Sequence, residues 1–339
     1  MSRGGLQPHQ QQWQIVASQL NDPLQASSIV SQLTLAPAVW GAMAVEPFKP
    51  GHVAVITGAA AGIGRAVAKR CAAAGMTVVL ADCDPTVTEV AAALGAAATG
   101  HVVDVADAAA VEAFRDAVIA AHKRVDFLMC NAGAARSGGS ALNGSTATFA
   151  KLMSVNFLGA VHTCNAFVPG MVSDGKGCVV NTGSKQGITK PPGNVAYNCS
   201  KAALNAFTEG LQHELRSAEA CGVTAHLLVP GWTNTDIMLN SKRADDPSVD
   251  PASVFFHEAK PAAGAWMPEQ VVEYMERELA KGTFYILCPD NEVSEHTDNL
   301  RMTWAMQDLS LRRPPLSRWH PDFKAAFEAH AAANPEPKE

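Results

Sequence analysis

Short runs of consecutive apolar residues alternate with amphipathic, alanine-rich stretches through most of this chain. Runs that are apolar at every position are typical of parallel strands covered on both faces. The candidate strands are Val53–Thr57, Thr77–Ala81, His101–Val103, Phe127–Asn131, Gly177–Asn181, Thr224–Leu228 and Phe284–Leu287. Helical segments such as 64–74 and 111–122 lie between them. The alternation predicts an α/β fold, a doubly wound parallel sheet of about seven strands with helices on both faces.

The chain divides by composition into three parts. Residues 49–290 carry the strand–helix alternation and are predicted to form one domain. Residues 1–48 are glutamine-rich and nearly free of charge, which predicts a disordered extension. An organelle-targeting role for residues 1–42 is the alternative, although such segments usually contain more arginine than Arg3 alone. Residues 291–339 contain several aromatic and arginine residues and are predicted to form a packed C-terminal arm.

One segment inside the domain, 233–266, breaks the alternation. It is polar and contains prolines, yet it also carries large apolar residues. A long irregular insertion of this kind is usually a functional lid or disordered. We interpret it as a substrate lid whose apolar side chains favour an apolar substrate, although these side chains could equally pack on a neighbouring subunit. They are Met238, Leu239, Phe255, Phe256 and Trp266.

Charge and cysteine content exclude several classes of protein. The 339 residues include 26 basic and 32 acidic residues, for a net charge of −6 without a long run of one sign. Nucleic acid is therefore an unfavourable partner, and no apolar stretch approaches the roughly 20 residues that span a bilayer. The eight cysteines are scattered without a Cys-x-x-Cys pair. They predict reduced thiols, no metal site, and a cytoplasmic location.

A glycine-rich turn follows the first predicted strand directly. The segment 57–65 reads Thr-Gly-Ala-Ala-Ala-Gly-Ile-Gly-Arg. Glycines there permit a tight turn, close approach of the backbone to a pyrophosphate, and close packing of the helix on the strand. The start of the following helix offers N–H groups and a positive dipole end to phosphate. Between a clear strand and a clear helix, this turn predicts a dinucleotide site.

An acidic residue, Asp82, ends the second predicted strand. A carboxylate at this distance from the glycine turn is where adenosine ribose hydroxyls are bound. It would repel a 2′-phosphate, and the next residue, Cys83, offers no positive charge to attract one. The pattern favours NAD over NADP. Capping of the next helix is an alternative role for Asp82, and Asp84 could fill that role equally well.

Tyr197 and Lys201 stand four residues apart in a predicted helix, which places both side chains on one face. A nearby ammonium favours the phenolate and lowers a phenol pKa that is ordinarily about 10. A tyrosine in that state can exchange a proton with an alcohol or a carbonyl. By itself the pair is a weak signal, because such spacing is common on helix surfaces.

With its glycine turn and its Tyr-x-x-x-Lys pair, the chain resembles the short-chain dehydrogenase/reductase family over residues 53–287, which implies a Rossmann-type fold. Further segments resemble family motifs in the same order. Asp104-Val105 corresponds to the adenine contact, 131–133 to the Asn-Ala-Gly motif, and 230–235 to the segment that contacts the nicotinamide carboxamide.

The resemblance implies a catalytic set and a set of cofactor contacts. The catalytic residues it implies are Asn156, Ser184, Tyr197 and Lys201. The expected cofactor-binding residues are Gly58, Ala61, Gly62, Ile63, Gly64, Asp82, Cys83, Asp104, Val105, Asn131, Ala132, Gly133, Tyr197, Lys201, Pro230, Gly231, Thr233 and Thr235.

In the implied mechanism Tyr197 is the acid–base, Ser184 binds the reacting oxygen, and Lys201 lowers the tyrosine pKa and holds the nicotinamide ribose. Asn156 anchors a water that links Lys201 to solvent.

Two departures from the family pattern lie beside the serine. Thr182-Gly183 replaces a more usual Ile-Ser, and Lys185 stands where a small apolar residue is common. Lys185 would either attract an acidic substrate or point to solvent, and we favour solvent.

The function predicted is hydride transfer between NAD(H) and a small-molecule secondary alcohol or ketone. An NADP-dependent carbonyl reductase is one alternative. A non-catalytic NAD-binding sensor or scaffold of the same fold is the other, and an intact catalytic set argues against it. The family resemblance also implies a homodimer or homotetramer.

Overall fold

The strands of the computed structural model form one parallel sheet in the order β3-β2-β1-β4-β5-β6-β7. Every neighbouring pair is parallel, which confirms the predicted doubly wound arrangement. Residues 44–136, 139–217, 222–250, 253–254 and 260–336 are described. The strands are β1 (Val53–Thr57), β2 (Thr77–Asp82), β3 (Ala98–Val102), β4 (Phe127–Cys130), β5 (Lys176–Thr182), β6 (Gly222–Val229) and β7 (Tyr285–Leu287).

The helices connect these strands and cover both faces of the sheet. They are α1 (Gly62–Ala73), α2 (Val87–Leu94), α3 (Ala108–His122), α4 (Thr146–Met153), α5 (Gly159–Ser173), α6 (Lys185–Thr189), α7 (Val195–Ser217), α8 (Ile237–Arg243), α9 (Pro268–Ala280), α10 (Glu295–Ser310) and α11 (Lys324–Ala333), with a π-helical turn at Ser154–Leu158 and 3₁₀ turns at Ser317–Trp319 and Pro321–Phe323. None of the described helices is long and apolar enough to cross a membrane.

Two apolar clusters form the core, one on each side of the sheet. The first joins α1, α2 and α9 to one side, around residues such as Ile56, Leu80 and Met275. The second joins α3, α5 and α7 to the other side, around residues such as Val55 and Leu128. Because alternate residues of β1 enter different clusters, its unbroken apolar run reflects burial on both faces.

The third strand differs most from its predicted range. It runs from Ala98 to Val102, whereas the apolar pattern predicted 101–103. This edge strand is only partly buried, so its residues do not form a continuous apolar run. Gly100 at its centre packs against α2, where an added Cβ would lie 2.5 Å from the Val87 carbonyl oxygen.

The predicted N-terminal extension falls almost entirely outside the described residues. Its last five residues, 44–48, belong to the same compact unit as the rest of the described chain. The Phe48 ring contacts Phe127 with centroids 5.2 Å apart, and the Val45 amide donates to the Leu279 carbonyl at 3.0 Å. The folded unit thus begins before residue 49, because these side chains pack on the core.

The C-terminal arm is packed through an internal polar cluster. Asp308 accepts hydrogen bonds from the Ser317 hydroxyl at 2.6 Å and from Arg313 Nε at 3.0 Å. The buried Trp304 indole donates to Ser317 Oγ at 2.8 Å. The Arg313 guanidinium lies over the Trp304 ring at 3.9 Å. The polar and aromatic residues of this segment therefore fold it against itself.

Asp126, which is 5% exposed, joins three strands at the amino edge of the sheet. Its carboxylate accepts from the Val53 amide at 2.9 Å and from Arg124 Nε at 2.9 Å, and Lys176 lies 3.8 Å away. We expect Asp126→Ala to lower the free energy of unfolding by about 2–4 kcal/mol, because buried donors lose their acceptor.

The measurement is urea denaturation, with Asp116→Ala as the control. Asp116 is also paired with an arginine, Arg115, but its side chain is 71% exposed. The control should change the stability by less than about 0.5 kcal/mol. Equal losses in both variants would contradict the role assigned to Asp126.

Candidate active site

The predicted site residues meet at the carboxyl edge of the sheet. Because all seven strands are parallel, the segments that follow β1, β2, β3, β4, β5 and β6 emerge on the same side. Gly58, Asp82, Asp104, Asn131 and Ser184 begin or lie in these segments. Residues far apart in sequence are thereby brought to one surface.

The glycine turn leaves no room for a side chain at Gly58 or Gly64. Gly58 and Gly62 have positive φ angles of 64° and 55°. A Cβ on Gly64 would lie 2.2 Å from the Gly58 carbonyl oxygen. Ala61, at the start of α1, supplies no side-chain cap to the helix, and Ile63 is buried behind it. The glycines therefore let the turn pack closely against the loops that follow β4 and β6.

Thr57 and Asn131 bind the ends of β1 and β4 together. Thr57 Oγ1 accepts from the amides of Asn131 and Ala132 at 3.0 and 3.1 Å. The Asn131 side-chain amide donates to the carbonyls of Thr57 and Gly58 at 3.2 and 3.1 Å. Thr182 Oγ1 donates to Asn131 Oδ1 at 3.2 Å, which adds β5. Gly133 follows as an exposed residue of the same loop.

Asp82 is half-buried beside the glycine turn. Its Oδ2 accepts from the Ala60 amide and its Oδ1 from the Asp84 amide, both at 3.0 Å. Each carboxylate oxygen can still accept a second hydrogen bond. Cys83 is exposed next to it. Asp84 accepts from the Thr86 amide just before the next helix, and that helix begins without a side-chain cap, so neither aspartate has the alternative capping role.

Asp104 and Val105 follow β3 and differ in burial. Asp104 is exposed and accepts from the Ala106 amide at 2.9 Å. Val105 is 5% exposed and its carbonyl binds His162 Nδ1 at 3.0 Å. A Cβ on Gly159 would lie 2.6 Å from Val105 Cγ2, so the loop packs directly on the start of α5.

Asn156 lies in the π-helical turn between α4 and α5 and is 1% exposed. Its side-chain oxygen accepts from the Ala134 amide at 2.7 Å, and its nitrogen donates to the Ala134 carbonyl and to Ser200 Oγ, both at 3.0 Å. The side chain therefore holds the loop after β4 against α7. Ser200, which the motif pattern did not single out, completes this contact.

Ser184, Tyr197 and Lys201 form the centre of the site. Ser184 is the N-terminal cap of α6, where its Oγ accepts from the Gln186 amide at 3.2 Å. It is close enough to Tyr197 to act on the pKa of that phenol. Lys201 is 3% exposed, donates to the Thr182 carbonyl at 2.8 Å, and lies 5.9 Å from the centre of the Tyr197 ring. The helical spacing thus brings Tyr197 to Ser184 and Lys201 to the end of β5.

The pKa values at this centre differ from the simplest expectation. Burial raises the pKa of Tyr197, while the hydrogen bond with Ser184 acts in the opposite direction. The predicted lowering by Lys201 is not seen. Burial also lowers the pKa of Lys201 itself to about 8, and its ammonium is directed to the Thr182 carbonyl. Burial is therefore the largest influence on the pKa of both side chains.

The loop after β6 closes over the glycine turn. A Cβ on Gly62 would lie 3.1 Å from Thr235 Cβ, so Thr235 lies directly above the turn. Thr233 forms a bridge with Trp266. Asn234, between them, is buried; its Oδ1 accepts from the Ala262 amide at 2.9 Å, and its Nδ2 donates to the Ala265 carbonyl at 3.2 Å. The sequence motifs did not single out Asn234.

The predicted lid residues have different environments. Leu239 is buried and Met238 is 40% exposed. Trp266 packs against the core beside Tyr274, with ring centroids 5.7 Å apart. Phe255 and Phe256 lie outside the described residues. Leu239 and Trp266 thus pack into the protein. Among the described members of this set, Met238 is the exposed one.

The prediction that Lys185 points to solvent is wrong. Its side chain is 17% exposed and lies 2.5 Å from Asp298 Oδ2 and 3.4 Å from Asp290 Oδ2. A buried lysine is stable where carboxylates compensate its charge. Both aspartates follow β7 in the sequence. Asp290, like Asp82, lies close to the end of a strand, and this was the signal that could have identified it.

Comparison with known proteins agrees with this geometry. A model of the short chain dehydrogenase family matches residues 52–246. The putative oxidoreductase SadH of Mycobacterium tuberculosis is 33% identical over 236 residues, which are 68% of this chain and 84% of that protein. A 2-dehydro-3-deoxy-L-rhamnonate dehydrogenase (NAD(+)) of a Sphingomonas species is 34% identical over 190 residues, which are 56% of this chain and 74% of that protein.

Among solved structures, the chain is similar to a short chain dehydrogenase/reductase from Burkholderia phymatum in complex with NAD. The TM-score is 0.68 and the sequence identity 31%. The match covers 79% of this chain and 97% of that one. The similarity therefore extends over nearly the whole of that protein.

The buried Lys201 predicts a specific dependence of stability on pH. Below pH 8 both states are protonated, and a fall in pKa from 10.5 to about 8 destabilises the fold by on the order of 3 kcal/mol. As pH rises from 8 to 10.5, the folded lysine loses its proton while the unfolded one keeps it, so stability rises. We expect Lys201→Met to be more stable than the parent protein by about 2 kcal/mol at pH 7, after the lost hydrogen bond is deducted.

This gain should shrink as the pH approaches 10.5, and urea denaturation of both proteins between pH 7 and 10 measures it. Lys69→Met is the control, since the Lys69 side chain is 55% exposed. A stability difference for Lys201→Met that stays constant with pH would contradict the assignment.

Proposed function

The chain belongs to the short chain dehydrogenase family, and from this premise we propose that it is an NAD(H)-dependent oxidoreductase that interconverts a secondary alcohol and a ketone. The observation that carries the proposal is the meeting of Ser184, Tyr197 and the buried Lys201 beside the glycine turn. This arrangement combines a proton donor, a donor of a hydrogen bond to the reacting oxygen, and a cation at one sheet edge.

The residues of this edge fit a dinucleotide. The turn at Gly58, Gly62 and Gly64 packs closely on its neighbours, with Thr235 against Gly62, and the start of α1 behind it offers N–H groups to a phosphate. The half-buried Asp82 retains acceptor capacity for two ribose hydroxyls, while its charge disfavours a 2′-phosphate. NAD is therefore the proposed cofactor, in agreement with the NAD complex of the Burkholderia structure.

The further cofactor contacts are proposed at the same edge. Asp104 and Val105 would border the adenine, and the loop from Asn131 to Gly133 would lie along the ribose. Pro230, Gly231 and Thr233 would face the nicotinamide. When bound, NAD(H) supplies or accepts the hydride.

The proton-transfer roles follow from the hydrogen bonds already in place. Ser184 Oγ accepts from the Gln186 amide, which leaves its own hydrogen to donate toward Tyr197 or a substrate oxygen. Tyr197 would donate its phenolic proton to a carbonyl oxygen during reduction and take it from the alcohol during oxidation. Lys201, protonated at neutral pH because its pKa is about 8, donates to the Thr182 carbonyl and has donors left for the nicotinamide ribose. Asn156, which holds the loop after β4, would support a proton relay from Lys201 to solvent.

The substrate is proposed to be apolar, on the ground that Met238 of the lid is exposed beside the loop that follows β6. The Sphingomonas relative, by its name, acts on a hydroxylated acid. A screen for the substrate therefore includes both apolar secondary alcohols and hydroxylated acids.

Assembly into a homodimer or homotetramer is proposed through α5 and α7. A groove between these helices is lined partly by apolar side chains, including Val168, Phe207 and Leu211. Burial of this surface against a second copy would be favourable.

Tyr197→Phe tests the proposed chemistry. The variant keeps the ring but lacks the transferable proton, so we expect kcat/KM to fall by about 10²–10⁴-fold while the Kd for NADH stays within about threefold. Turnover is followed by NADH absorbance and binding by fluorescence. Tyr274→Phe, which alters a phenol packed against Trp266, should leave both unchanged. Full activity of Tyr197→Phe would exclude the mechanism.

Asp82→Asn tests the cofactor. The parent protein should bind NADH at least about tenfold more tightly than NADPH, a difference of about 1.4 kcal/mol, and the substitution should narrow that ratio by removing the charge. Asp84→Asn is the matched control, because that carboxylate binds Thr86 at the helix start. Tighter binding of NADPH by the parent protein would favour an NADP-dependent reductase. Binding of NADH without turnover across the alcohol panel would favour a sensor.

A further inference from the structure

We propose that Lys185 is a positioning residue, which joins the catalytic serine, the loop that follows β6 and the C-terminal arm into one rigid unit. The inference rests on the proposed function, since it concerns the alignment of that same site. Lys185 directly follows Ser184 and is the first residue of α6. Its side chain lies between Asp290, which follows β7, and Asp298 of α10.

The first aspartate connects Lys185 to the loop after β6. Asp290 Oδ2 lies 3.4 Å from Lys185 Nζ and accepts from the Trp232 amide at 3.1 Å. Its other oxygen accepts from the amides of Glu292 and Val293 at 3.0 and 2.8 Å. The Asp290 side chain is 1% exposed. A buried carboxylate with this many donors has one geometry, so its contacts place Lys185 relative to Trp232.

Gly231 shows how close this contact is. A Cβ at that position would lie 2.6 Å from Asp290 Oδ2 and 2.8 Å from Lys185 Nζ. The backbone of the loop therefore touches both members of the ion pair. The distance between the loop and the Ser184 turn is set by this contact.

The second aspartate connects Lys185 to the C-terminal arm. Asp298 lies in the first turn of α10 and its Oδ2 is 2.5 Å from Lys185 Nζ. Its side chain is 7% exposed, and Arg301 Nη1 lies 3.7 Å from its other oxygen. The arm also contacts α6 through the Trp319 indole, which donates to the Thr189 carbonyl at 3.4 Å. Both ends of the short helix behind Ser184 are thus held by the arm.

These contacts have a consequence for the reaction. Ser184 would bind the reacting oxygen, whereas the loop from Gly231 to Thr235 would border the nicotinamide. Hydride transfer requires these two groups at a fixed separation, and misplacement by about 1 Å can cost about 100-fold in rate. Lys185 is the residue that contacts the supports of both.

The experiment compares Lys185→Met and Asp298→Asn with Asp308→Asn in the full-length protein. Asp308 is a matched control, because its side chain is 9% exposed, it also binds an arginine of the arm, and it makes no contact with α6 or the loop among the described residues. All three variants should lower the melting temperature. The two readouts are amide hydrogen exchange, by mass spectrometry, of peptides covering 184–189 and 230–236, and steady-state kinetics on the best alcohol of the screen.

We expect exchange in both peptides to be at least about tenfold faster in Lys185→Met, less so in Asp298→Asn, and unchanged in Asp308→Asn. We expect kcat to fall by about 10- to 100-fold in Lys185→Met with substrate KM within about threefold. Asp298→Asn should show a smaller loss, and Asp308→Asn none at temperatures where it is folded.

Three outcomes would overturn the proposal. One is unchanged exchange and kcat in Lys185→Met. If that variant does not fold, unchanged values in Asp298→Asn are the second. The third is an equal loss in Asp308→Asn and Asp298→Asn, which would mean that the arm gives general support only. Absence of turnover in the parent protein would instead contradict the proposed function, and hydrogen exchange would still test the role of Lys185.

Discussion

The site depends on the hydrogen bonds by which Thr57 and Asn131 hold the carboxyl ends of β1 and β4 together. The Asn131 side chain occupies the space between the strand ends and binds the carbonyls of Thr57 and Gly58. A Cβ on Gly64 would lie 2.7 Å from Asn131 Nδ2. The glycine turn, the start of α1 and the loop after β4 are thus positioned by one amide, which leaves no room for side chains at the turn.

A second feature is the pair of largely buried lysines near Ser184. Lys201 lies behind it with a backbone carbonyl as partner, and Lys185 lies beside it with two aspartates. The two lysines differ in how their charge is compensated. Lys185 is compensated by carboxylates, whereas the pKa of Lys201 falls to about 8 because no carboxylate offsets its burial. The structure thus accepts an energetic cost at the lysine to which the proposed mechanism assigns a role.

The C-terminal arm extends this arrangement beyond the sheet. Its own packing around Asp308, Trp304 and Ser317 makes it a stable element. Through Asp298 and Trp319 it reaches the helix behind Ser184. A segment that the family match does not include therefore contributes to the surroundings of Ser184.

The doubly wound parallel sheet and the meeting of site residues at one edge were predictable from the sequence, because consecutive apolar runs require burial on both faces and parallel strands end together. The spacing from Tyr197 to Lys201 likewise determined that both side chains share a helix face. The tertiary structure alone decided the partners of Lys185, the anchoring by Asn234 and the direction of the Tyr197 pKa shift. Each depends on which groups from distant segments surround a side chain, and burial and pairing of charge are properties of that surrounding, which spacing along the chain does not contain.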